Sequence, residues 1–145
     1  MKNIPETLKD HILPFNWEVR KVWALHAPIL QIGVNEIDYL LELPLWSSKI
    51  KSGMLFDLRP IDLLNNPSLA SHQFDRVMKA SIEYPMDFMD YNESRWILDG
   101  VHRLAKVKLL NINVVKIRLH KSDIINKIQV AQQVDAPERF APGDP

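Results

Sequence analysis

Five consecutive residues, Asp99-Gly100-Val101-His102-Arg103, bring together a carboxylate, a glycine, an imidazole and a guanidinium. Arg95-Trp96-Ile97-Leu98 before them reads as a strand and Val101 to Leu110 after them as a helix, so the run marks a strand–turn–helix junction. A helix start carries about half a positive charge and N–H groups without intrahelical partners. Acidic side chains normally sit there. Two basic ones in the first turn oppose the dipole, and they also make an anion site, because helix N–H groups, His102 and Arg103 can converge on one phosphate. Gly100 permits a tight turn and close backbone approach. Lys106 lies four residues from His102 and three from Arg103, which extends the basic face. Val101, Leu104 and Ala105 fall on another face, assigned to the core. Asp99 has three roles open to it: cap of the helix, ligand of a metal carried on a nucleotide, or base.

The elements that must hold this junction follow from apolar spacing and from ten prolines and four glycines that punctuate it. Residues 1–27, with Phe15, Trp17, Val19, Val22, Trp23 and Leu25, form an N-terminal extension expected to pack on the domain. Pro28 to Val34 reads as a strand. Asn35 can cap a helix through Asn35–Leu43 that Pro44 stops, with Ile37, Leu40 and Leu41 at helical spacing. Pro60 opens a helical turn. Ser68 to Glu83 reads as one helix with Leu69, Phe74, Val77, Met78 and Ile82 on its apolar face, and Pro85 bars its continuation. Pro85–Met89 and Arg95–Leu98 read as a hairpin joined through Asp90–Ser94. Asn111–Asn113 ends the helix after the glycine turn, and Val114–His120 is a strand rich in β-branched residues. Ser122 can cap a last helix to Gln133, before a proline-rich tail; residues 123–145 form this C-terminal part. The order implies an α+β fold: a small mixed β-sheet packed with helices.

The segment WILDGVHRLAKVKLLNINVVKI resembles the signature of the ParB/sulfiredoxin-like domain superfamily, whose members carry a strand, a Gly-x-His-Arg or Gly-x-Arg-Arg turn, a helix, a short loop and a strand. The upstream strand pair, the helix SHQFDRVMKASIE and the opening PILQIGVNEIDYLL resemble the rest of that domain, so the resemblance covers roughly residues 28–122. It implies a nucleotide-phosphate site at the turn, with Gly100, Val101, His102 and Arg103 against phosphate, and a nucleoside di- or triphosphate (ATP, ADP or CTP) with Mg2+ on Asp99. Lys106 extends that contact, and Arg59, in a region where relatives place polar residues, would touch nucleotide or substrate. The serine-kinase relatives use an early glutamate as base; Glu36 or Glu42 would be its counterpart. Two departures narrow the choice. Sulfiredoxins carry their reactive cysteine where Val101 stands, and this chain has no cysteine, so sulfinic-acid repair is not expected. The stretch after the last strand leaves no room for the further DNA-binding and dimerisation domains of partition proteins. The expectation is a stand-alone nucleotide-binding domain, a nucleotide-dependent kinase or hydrolase if it turns over. A DNA-binding or nuclease-like protein and a non-catalytic partner module are the alternatives. Relatives frequently form homodimers.

Composition sets the outer limits. The 145 residues are 46% hydrophobic and 25% charged, which suits one globular domain. Eighteen Lys and Arg balance eighteen Asp and Glu, so the chain lacks the broad positive field of non-specific nucleic-acid binders. Lys106, Lys108, Lys116, Arg118 and Lys121 still bias residues 101–121 toward positive charge, without interleaved aromatics for base stacking. No apolar run approaches a membrane span and no signal-peptide core opens the chain, so a cytoplasmic protein is expected. Trp17, Trp23, Trp46 and Trp96 read as packing groups. Asp87, Asp90 and Glu93 make a loose acidic set with Asp99 around the hairpin, the middle pair serving the turn.

Overall fold

The computed structural model describes residues 4–50 and 55–130. Four strands, β1 (Ile29–Gly33), β2 (Met86–Tyr91), β3 (Ser94–Asp99) and β4 (Val114–Lys121), form one mixed sheet in the order β1-β4-β2-β3. β1 and β4 are antiparallel, as are β2 and β3, and β2 runs parallel to β4. Among the described residues five short α-helices accompany them: α1 (Val19–Trp23), α2 (Pro60–Asn65), α3 (Ser71–Lys79), α4 (Val101–Leu109) and α5 (Ile125–Ile128). No helix among the described residues is long and apolar enough to cross a membrane.

The β2–β3 hairpin closes through Asn92 and Glu93, both at positive φ (48° and 64°), a two-residue turn of the kind that matches strand twist. The strands therefore run to Tyr91 and Ser94, further than the pattern alone suggested. The register slips by one between Asp87 and Phe88, so Leu98 of β3 has no cross-strand partner. β3 then gives way to Gly100, at φ +115°, and α4 carries the chain from the sheet edge back to its middle at β4. A Cβ at Gly100 would stand 2.8 Å from Met86 Cγ, so the turn is packed directly onto β2. α4 ends as expected near Asn111, which takes φ +57°. The Ile112 N–H reaches the Val107 carbonyl (3.0 Å) and the Asn111 N–H that of Lys108 (3.1 Å), a Schellman closure.

Three expected helices are shorter than their apolar spacing. Residues 35–43 form two 3-10 turns, Val34–Glu36 and Asp38–Glu42, broken at Ile37 (φ −131°, ψ −1°). Nine residues before a proline gain too little from helical propagation to offset nucleation, and the kink buries Ile37, Leu40 and Leu41 together. The helix expected from Ser68 to Glu83 is α3, Ser71–Lys79, after a 3-10 turn at Pro67–Leu69. Leu69, Met78 and Ile82 are exposed, and Val77 is the member of that apolar set that is fully buried. The last helix is a 3-10 turn, Ser122–Ile124, followed by α5; the continuation to Gln133 and the proline-rich end lie outside the described residues.

The N-terminal segment is part of the core. Leu8, Ile12, Leu13, Trp17 and Val22 join one apolar cluster with Phe88, Ile97, Leu98, Leu104 and Ile117. Trp17 Nε1 donates to the carbonyl of Leu98 (3.0 Å), and Trp17 bridges to Gln129 beyond α5. The residue left unpaired by the register slip thus has its carbonyl satisfied from a segment far away in sequence.

Candidate functional site

The pairing register lines up one row across all four strands. Ile29 of β1 faces Arg118 of β4, Arg118 faces Asp87 of β2, and Asp87 faces Asp99 of β3. Cross-strand partners share a face, so an apolar residue, a guanidinium and two carboxylates stand side by side. Asp87 and Asp99 are buried, 2% and 0% exposed. Such charges persist in an interior only when paired and hydrogen-bonded. Arg118 Nε donates to Asp87 Oδ1 (2.7 Å), and His120 Nε2 meets the same oxygen (2.9 Å). Arg118 also donates to the carbonyls of Leu25 (2.6 Å) and Val22 (3.0 Å), which ties the end of α1 to the sheet.

Asp99 is held differently. Trp23 Nε1 donates to its Oδ2 (2.7 Å), and Arg103 Nη1, one helical turn on, donates to the same oxygen at the longer distance of 3.3 Å. Oδ1 of Asp99 and Nε of Arg103 are buried with no partner in the protein. Burial raises the Asp99 pKa above its ordinary value. The Trp23 hydrogen bond and the Arg103 charge pull the other way, and the neighbouring Asp87 reinforces the rise. The Arg103 guanidinium lies over the Tyr84 ring, 5.8 Å from its centroid.

Beside the charged row opens a cleft of about 330 Å3, lined by Trp23, Ile29, Tyr84, Pro85, Asp87, Arg103 and Arg118. Its rim is apolar and partly exposed: Tyr84 is 45% and Ile29 61% exposed. Its charged groups come from three separate elements, β2, α4 and β4. A largely apolar cleft with a few convergent polar groups, next to a carboxyl of shifted pKa, has the makings of a ligand site.

The structure brings Asp99, Gly100 and Arg103 of the expected set together and holds the others apart. His102, 4% exposed, points about 100° around α4 from Arg103, toward α3 and Trp46. Its ring stacks on Trp46 (centroids 4.2 Å apart, 15° between planes), and its Nε2 meets Gln73 Oε1 at 2.8 Å. Gln73 in turn donates to the Ser47 carbonyl. His102 and Arg103 therefore do not converge on one point. Val101 is wholly buried. Lys106 Nζ donates to the carbonyls of Met78 (2.7 Å) and Ala80 (2.9 Å), which closes the C-terminal end of α3. Arg59 forms a two-pronged surface pair with Asp62 (2.8 Å each), and Glu36 accepts from the Gly33 N–H (3.1 Å) in a 3-10 turn. Neither residue lines the cleft.

Asp99 Oδ2 and Asp87 Oδ1 face N–H donors, Asp99 Oδ1 is buried without a partner in the protein, and no group of three metal-ligating side chains occurs among the described residues. Trp23, Asp87, Arg118 and His120 were not singled out by the sequence as site residues. The available signal was a charged residue inside an apolar strand, Asp87 between Met86 and Phe88 and Arg118 between Ile117 and Leu119. No family model, curated protein or solved structure matches the chain.

Proposed function

We propose that this chain is a ParB/sulfiredoxin-like domain that binds the phosphate of a nucleotide in the cleft beside the Asp99–Arg103 junction. The observation that carries this reading is Arg103. It is buried at the edge of a solvent-open cleft, uses one of its five N–H donors on Asp99, and keeps Nε without a partner in the protein. A guanidinium held this way suits forked recognition of phosphate. Arg118 adds a second positive charge on the same wall. Asp99, fully buried and not itself a lining residue of the cleft, accepts from Arg103 and so orients it.

The test is a thermal-shift panel of nucleoside mono-, di- and triphosphates on the wild type, Arg103→Ala and Arg103→Lys. A ligand at about a hundred times its dissociation constant adds roughly 2.7 kcal/mol. That should raise the midpoint by several degrees, at about 2–4 °C per kcal/mol. The expected result is a shift with the wild type that is lost in Arg103→Ala and reduced in Arg103→Lys. Absence of any shift in folded wild-type protein would sink the proposal.

A further inference from the structure

The cleft's charge, size and walls also limit what kind of nucleotide it can take. We infer that it accepts a ligand with a single phosphate beside a planar ring, a nucleoside monophosphate, and discriminates against di- and triphosphates. This deepens the phosphate reading above and rests on it.

Charge comes first. The cationic groups lining the cleft are Arg103 and Arg118, and each is already bonded to a buried carboxylate, Asp99 and Asp87. Lys106, the next basic residue along α4, is committed to the end of α3, and Lys108 lines a different pocket with Asp38. A monoester phosphate brings about −1.5 to −2 charges at neutral pH, and every further phosphate adds to that. Asp87 offsets Arg118, and Asp99 offsets Arg103 when ionised, so the cleft holds at most one unmatched positive charge, too little for a polyphosphate.

Backbone donors do not make up the shortfall. Oligophosphate sites usually present a run of N–H groups from a glycine turn opening a helix. Here that turn is closed. Leu98, Asp99 and Gly100 are buried, Met86 fills the space beside Gly100, and Trp17 bonds to the Leu98 carbonyl. The phosphate must be met by side chains in the cleft, at one place.

The remaining walls are apolar and aromatic. Trp23, Tyr84, Pro85 and Ile29 surround the guanidiniums, and a base or similar ring could lie against them. The volume, about 330 Å3, stands at the lower end of the roughly 300–1,000 Å3 found for small-molecule sites. One ring, one sugar and one phosphate suit that space better than a longer chain.

Isothermal titration of the full chain without Mg2+ tests this, using AMP, CMP, GMP and UMP, the matching triphosphates, and inorganic phosphate. At least one monophosphate should bind tenfold or more tighter than both its triphosphate and inorganic phosphate. Tyr84→Ala, which removes ring surface from the cleft and the ring beneath Arg103, should weaken that monophosphate about tenfold more than it weakens inorganic phosphate. A triphosphate that binds as tightly as its monophosphate, or a monophosphate no better than inorganic phosphate, overturns the inference and leaves the phosphate reading standing. No binding by any probe to folded protein overturns both.

Discussion

Neighbouring residues on one helix turn meet opposite fates. His102, on one side of α4, is stacked on Trp46 and bonded to Gln73, which is itself bonded to the Ser47 carbonyl. Arg103, about 100° around the helix from it, makes a single long bond to Asp99 and borders a cleft with Nε unpartnered. Both are 4% exposed. Burial alone therefore does not separate a polar residue locked into the protein's own network from one that borders a cleft. What separates them is whether the hydrogen-bonding capacity is used up within the protein. The His102 side is a sealed network that positions α4 against α3. The Arg103 side is a charged row backed by α1, with donors to spare.

The largest effect expected is at Arg103. Arg103→Ala should abolish nucleotide-induced stabilisation and cost roughly 3 kcal/mol in urea denaturation, the lower end for breaking a buried pair. It falls at that end because Asp99, its pKa already raised, can take a proton instead of remaining a bare buried charge. His102→Ala should cost a similar amount, about 2–4 kcal/mol, through lost ring stacking on Trp46 and the lost hydrogen bond to Gln73. Its nucleotide affinity should stay within about twofold of wild type once folding is confirmed. A large affinity loss in His102→Ala would erase the difference drawn between the two sides.

A smaller effect separates the two by pH. A carboxyl whose folded pKa stands above its unfolded value holds more protons when folded, so the stability it contributes falls as pH rises through that window. For Asp99 the window opens near its ordinary value of 3.8 and extends upward. The midpoint of Asp99→Asn minus that of wild type should therefore grow between about pH 4 and pH 7. A difference that is flat or shrinks over that range would show that Asp99 is held as an ion by Trp23 and Arg103. Smaller still, Lys106→Met should lose about 1 kcal/mol, from the carbonyls it closes on α3, with unchanged nucleotide affinity. Arg59→Ala should alter neither stability nor affinity measurably, since its pair with Asp62 is exposed to solvent.

The junction at residues 95–110 is legible in the sequence because its signals are local. A strand pattern, a glycine that must take positive φ, a helix pattern and an asparagine stop all lie within one short window, and the structure follows them. The helices at 35–43 and 68–83 are less legible, because apolar spacing reports which residues are buried and not how long the backbone stays helical. Lys106 illustrates the limit within the site. Its place on the basic face of α4 is visible from spacing, but the carbonyls of Met78 and Ala80 that absorb it belong to another element.

The amino-acid sequence by itself determined the elements around the site, the mixed α/β character and the placing of Asp99 and Arg103 one helical turn apart. Those features depend on dihedral preferences and on periodicity over a few residues. Only the tertiary structure decided that Asp87 and Arg118 share a row with Asp99, that Trp23 bonds to Asp99 from a segment 76 residues away, and that His102 turns inward to Trp46. Strand register and sheet order set those contacts. They arise from burying the whole apolar surface at once, a global condition that no local pattern carries.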